Sequence, residues 1–288
     1  MLQAILQEIR KLGNQKLYND LREICAYNAE RDIYYRNMAV AAFKKFLTFM
    51  EKNEDNPKKV MQKARSGWVI YGEKIDREFK DIAFYLLPID SGYMAAMGKF
   101  EGKIIICLKC LPSRDDDPNN ELENFSIYDI RRKEFIHEYT HYLDEFRANP
   151  EKLKSPVDNI IKYVNSPREF NAFFQEGADD LITYAKHVIN DYFGDFERYE
   201  LTFPKDINKF IKNSLKLHFS KIFLDHLNPE YEKKFMKRFS MLYQEIQDML
   251  YPKDGKKPVK YELGIGDTTK IRNKSVLKTL QDIQNLFK

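Results

Sequence analysis

His137, Glu138, Tyr139, Thr140 and His141 form an HExxH pentad in a 288-residue chain that holds 5 histidines. On a helix, residues four apart lie one turn apart on the same face, so both imidazoles can reach one metal ion. The glutamate between them points beside that ion, where its carboxylate can take a proton from a bound water. Two nitrogen ligands, a general base and an open coordination position suit metal-assisted hydrolysis, with Zn2+ the expected ion.

The pentad needs a helix to carry it. Ser126 followed by Asp129 reads as an N-cap with an acidic first turn, and no Gly or Pro stands between Ser126 and Pro150. Phe135, Tyr139, Tyr142 and Phe146 recur at helical spacing and predict a buried stripe. His137, His141 and Asp144 fall on a different face, where buried polar groups need partners and a metal would supply them. Asp144 is almost in line with the two histidines. It can accept the second ring N–H of a ligand histidine, or stand as an ordinary surface aspartate.

A tetrahedral site with an open position needs one more protein ligand. No third histidine follows at short spacing, which excludes a HExxHxxGxxH site and leaves the carboxylates. Ser166-Pro167 predicts a helix start, with an N-cap followed by proline at the first helical position. Glu169, Ala172, Phe173 and Glu176 then share one face. A glutamate in the first turn, with a small residue one turn on, lets two helices approach across a metal. Ser166-x-x-Glu169 also fits a capping box, which would occupy the same carboxylate. Glu169 is the first candidate and Glu176 its competitor. For a donor to the transition state, Tyr163 is nearest the third ligand in sequence, and His218 and His226 are further candidates.

The strings FIHEYTHYLDEFR (Phe135 to Arg147) and YVNSPREFNAFFQ (Tyr163 to Gln175) add a resemblance. HExxH followed by ExxA on a second helix resembles the glutamate-zincin (gluzincin) metallopeptidases. It is most similar to phage-encoded and ImmA/IrrE-like zinc peptidases, over residues 90 to 180. The resemblance implies His137, His141 and Glu169 as zinc ligands and Glu138 as general base. It also implies an α+β, predominantly helical zincin-like fold with a small antiparallel sheet beside the HExxH helix. An extended peptide would add to an antiparallel edge strand of that sheet, here the 104–109 strand or its neighbour. The ImmA/IrrE pattern has Asn directly after the alanine. Phe173 stands there in this chain, so the likeness does not carry the substrate over.

Composition bounds the rest. The net charge of +4 is too small for a strong electrostatic footprint on nucleic acid. The first ten residues look amphipathic, but Glu8 interrupts any apolar run, so they do not read as a signal peptide. No stretch is long and apolar enough to span a bilayer. Three cysteines are too few for a disulfide framework and suit a reducing compartment. Cys107 and Cys110 make a CxxC, but in a strand positions three apart face opposite sides of the sheet. The expectation is a cytoplasmic protein (host cytoplasm or virion if phage-encoded), acting on a protein or peptide substrate, without membrane or nucleic-acid partners.

Three regions follow along the chain. Residues 1–65 read as helical, with the polar run Asn53 to Pro57 as a break. Residues 66–250 read as the zincin-like metallopeptidase domain. It opens with strand-like runs at 68–71, 82–87, 93–97 and 104–108, the last two joined by a hairpin turn at Phe100-Glu101-Gly102-Lys103. A polar loop at 112–120, a helix over 167–193 ending near Gly194, and helices over 207–250 broken at Asn228-Pro229 complete it. Residues 251–288 read as a basic, solvated extension, with nine Lys/Arg against four Asp/Glu from Pro252 onward and a short amphipathic segment from Val276 to Phe287. Two other readings compete. A structural or assembly protein, virion-associated, would keep zinc for stability alone, but such a site has no need of Glu138 between its histidines. A nucleic-acid-binding protein would use the basic tail, but no recognition-helix pattern accompanies it.

Overall fold

The computed structural model describes residues 15–53, 68–88, 95–111, 132–145, 159–252, 258–261 and 263, and among these residues it has eight α-helices, two short 3-10 helices and four strands. The first residues of the chain, the Ser126 cap, the polar loop at 112–120 and the segment from Val276 lie outside the described residues. The fold is mostly helical with one small mixed sheet, hence α+β. Among the described residues, no helix is long and apolar enough to cross a membrane. The chain clusters into two compact units that interleave in sequence. The long helix α1 (Gln15–Asn53) contributes residues to both, up to Met38 in one and from Ala39 in the other.

The sheet unit holds β1 (Trp68–Tyr71), β2 (Ile82–Pro88), β3 (Ala95–Phe100), β4 (Lys103–Leu111) and α2 (Arg132–Glu145). Strand order is β1-β2-β4-β3. The β3–β4 hairpin turns through Glu101 (φ 49°) and Gly102 (φ 75°), the two left-handed residues that a two-residue type I′ loop requires. The expected all-antiparallel sheet is corrected here. β1–β2 and β3–β4 are antiparallel, but β2 and β4 run parallel, Phe84 opposite Ile106 and Tyr85 opposite Cys107. The physical reason lies in side-chain polarity. The run Ile104 to Leu108 is apolar throughout and takes the interior position, whereas β3 carries the exposed Gly98 and Lys99 and takes the edge. The 104–109 strand is therefore not an edge, and its neighbour β3 is.

An aromatic core seats α2. Phe135 stacks on Phe84 of β2 and on Tyr139 one turn along its own helix, each at 5.8 Å between ring centroids. Phe43 and Phe46 of α1 close on Phe135 at 5.1 and 5.5 Å. Of the predicted stripe, Phe135, Tyr139 and Tyr142 are all buried, and Phe146 lies outside the described residues. It turns the opposite side of α2 away from this core, and α2 also packs on β3 and β4.

The helical unit holds α3 (Ile160–Val164), α4 (Pro167–Asp191), α5 (Phe196–Thr202), α6 (Ile207–His218), α7 (Lys221–Asp225) and α8 (Pro229–Leu250). Asn159, Ser166, Asp195, Asp206 and Asn228 cap their helices through side-chain oxygens that accept backbone N–H groups. Phe174, Phe210, Phe219, Phe223, Phe235 and Phe239 form its centre, with Phe219–Phe235 at 5.1 Å. The last three residues of α4 cluster with the sheet unit. There the Asn190 amide pairs with both backbone groups of Tyr261, accepting its N–H at 2.9 Å and donating to its carbonyl at 2.7 Å. The start of the predicted solvated extension is therefore anchored at Tyr261.

Candidate metal centre

α2 brings His137, Glu138 and His141 into place. His137 is 8% exposed, Glu138 6% and His141 4%. The two imidazole centroids lie 4.9 Å apart with ring planes at 90°, as two residues one turn apart on the same face should. Between them the Thr140 hydroxyl is satisfied within the helix, donating to the Ile136 carbonyl at 2.7 Å. The stripe that buries Phe135 and Tyr139 on the core side fixes the rotation of this helix, and so the side on which both histidines emerge.

α4 brings Glu169. Ser166 is its N-cap and Pro167 its first residue, as the sequence predicts. The Ser166 Oγ accepts the Glu169 N–H at 3.4 Å. The Ser166 N–H donates to the Tyr163 carbonyl at 3.1 Å, so the cap does not require the Glu169 carboxylate. That carboxylate is only 4% exposed.

Among the described residues, His137, His141 and Glu169 make the one group of three histidine, cysteine or acidic side chains placed to hold a metal ion. Each offers one ligand atom, and these atoms all lie within 4.8 Å of one another. Two imidazole nitrogens and a carboxylate oxygen, all buried, are a donor set that first-row divalent ions accept. Three protein ligands also leave coordination room for a small molecule. The residues present fit a metal ion by number, donor type and burial. Glu176, two turns along α4, is not in the group and is half-buried.

The remaining candidates are distributed as follows. Asp144 is half-buried one turn beyond His141 on α2. Tyr163, on α3, sets its ring edge-on to Phe173 at 6.3 Å. His218 and His226 are engaged elsewhere: His218 Nδ1 lies 2.8 Å from Asp180 Oδ2, with Tyr184 against its ring, and His226 Nδ1 donates to the Ile222 carbonyl at 2.9 Å. His187 is half-buried on α4.

Two groups around α2 are held protonated. Burial raises the Tyr142 phenol, and the negative charge of Asp81 adds to it. Burial likewise raises the Cys107 thiol on β4, with the Glu138 carboxylate as the second cause. Cys107 is a free thiol. Comparison with family models, curated proteins and solved structures returns no match for this chain.

Proposed function

We propose that this chain is a zinc-dependent metallopeptidase of the glutamate-zincin type, hydrolysing peptide bonds in a protein or peptide substrate. The observation that carries this is the buried gathering of His137, His141 and Glu169, with Glu138, also buried, next to His137 on α2. A site that served stability alone would have no use for a buried acid at that position.

His137, His141 and Glu169 would hold the ion. When bound, zinc supplies an activated water and a Lewis acid for the scissile carbonyl. Glu138 accepts the proton of the attacking water and returns it to the leaving amine, the general acid–base role its position suits. Asp144 orients a ligand histidine through its second ring nitrogen. Tyr163 donates to the developing oxyanion. The antiparallel edge β3, against which α2 packs, offers backbone groups along which an extended peptide can align. The test is hydrolysis of a mixed peptide library by the zinc-loaded protein, with Glu138→Gln and a chelator as controls. Cleavage lost in both controls supports the reading, and cleavage that survives Glu138→Gln removes Glu138 from it.

A further inference from the structure

α4 carries Glu169 on one side and a buried polar clamp on the other. Asn171 and Gln175 sit one turn apart on α4. Glu169, two residues before Asn171, lies about 200° around the helix from it. The clamp centres on Arg238 of α8. Its guanidinium grips the Asp32 carboxylate of α1 with two bonds, Nε to Oδ2 at 2.8 Å and Nη2 to Oδ1 at 2.7 Å. The same Nη2 donates to Asn171 Oδ1 at 2.9 Å. With its amide turned so that both ends are satisfied, Gln175 donates to the Asp32 backbone carbonyl at 3.3 Å and accepts from Arg238 Nη2 at 3.1 Å. The guanidinium plane also lies over the Phe174 ring, 3.9 Å from its centroid.

This network is expensive to bury. Asp32, Asn171 and Gln175 are all buried, and an ion pair taken out of water costs desolvation that its attraction only partly offsets. Apolar residues of similar volume would hold three helices together at least as well. What the network supplies beyond cohesion is direction. A planar fork fixed at one end by a carboxylate sets both the rotation and the axial position of the helix it bonds to.

We propose that Arg238, held by Asp32, is a positioning residue for Glu169: through Asn171 and Gln175 it fixes the rotation of α4 and so the direction in which Glu169 offers its carboxylate to the metal. This rests on the metal reading above. Lysine cannot replace Arg238, because a single ammonium cannot bond both Asp32 oxygens and Asn171 while stacking on Phe174.

The experiment measures zinc affinity of the full chain, by competition with a chromophoric chelator, for Arg238→Lys and Asn171→Ala. Each is made alone and in a Glu169→Ala background, with circular dichroism as the check on folding. The inference expects each single variant to bind zinc about tenfold more weakly, the scale of losing an outer partner of a metal site. It expects neither to weaken binding further once Glu169 is gone, because the effect runs through that carboxylate. The same tenfold loss in both backgrounds would mark general loosening and overturn the inference, as would unchanged affinity in the folded single variants. Asn171→Ala leaves the Asp32–Arg238 pair in place and decides alone if Arg238→Lys does not fold. A wild-type chain that takes up no zinc overturns the metal reading and this inference together. A zinc-binding wild type matched by Asn171→Ala overturns this inference only.

Discussion

The imidazole of His137 stands at right angles to that of His141, with 4.9 Å between centroids, and Glu138 lies buried between them in sequence. This relationship separates ligand from base. Glu138→Gln keeps the side chain's size and removes its proton affinity. Zinc content and the circular dichroism spectrum should stay at wild-type levels, while kcat falls by on the order of 10² to 10⁴, the usual worth of a general base. Steady-state kinetics on any substrate found in the library screen would check this. A kcat within a fewfold of wild type would contradict it.

The third ligand is tested by comparing two glutamates on one helix. Glu169→Ala should weaken zinc binding by more than about 100-fold, beyond the loss expected for an outer partner. Glu176→Ala should leave affinity near wild type, because Glu176 stands outside the group of ligand atoms. The measurement is chelator competition on the two purified variants. The reverse order would transfer the ligand role to Glu176.

Packing of α4 sets a third expectation. A Cβ added at Gly177 would meet ring carbons of Phe219 at 2.3 to 2.7 Å. Phe219 is itself buried against Phe174, Phe235 and Phe239 and has little room to retreat. Gly177→Ala should therefore destabilise the fold by about 1–3 kcal/mol, the cost of overpacking, despite alanine's better helix propensity. Urea denaturation would show the midpoint falling; a rise would mean that Phe219 moves freely.

The Cys107 thiol gives a pH prediction in the metal-free protein. Burial raises its pKa first, and the Glu138 carboxylate raises it further. The thiolate is the reactive form, so less of it is present at a given pH than in a free cysteine, whose pKa is about 8.5. Alkylation of Cys107, followed by peptide mass spectrometry, should rise with pH around a midpoint above that value. Glu138→Gln removes the repulsion and should shift the midpoint toward lower pH. A shift toward higher pH would contradict the electrostatic coupling of β4 to Glu138.

The elements that sequence made legible are those with local signals. Ser166-Pro167 marks the start of α4 because a cap and a fixed φ act within one turn. Glu101-Gly102 marks the hairpin because a glycine in a two-residue loop accepts the left-handed conformation that such turns need. The Phe135–Tyr139–Tyr142 stripe identifies the buried face of α2 and leaves both histidines off it. Strand order was not legible. Nearest-neighbour pairing favours an antiparallel meander, and the parallel β2–β4 pair depends on which run is apolar enough for the interior. Nor was the Arg238–Asp32 pair, whose members stand 206 residues apart. The short helix α5 was also missed, since Phe196–Thr202 has too few residues to show a period. His218 was open as a donor to the active site until its bond to Asp180 appeared.

The most direct test of the metal centre is elemental analysis of protein purified without added metal, wild type beside His141→Ala. The account predicts about one zinc per wild-type chain, as an N,N,O site of this kind would retain, and its loss in the variant. No metal in either protein, with none taken up when zinc is added, would contradict it.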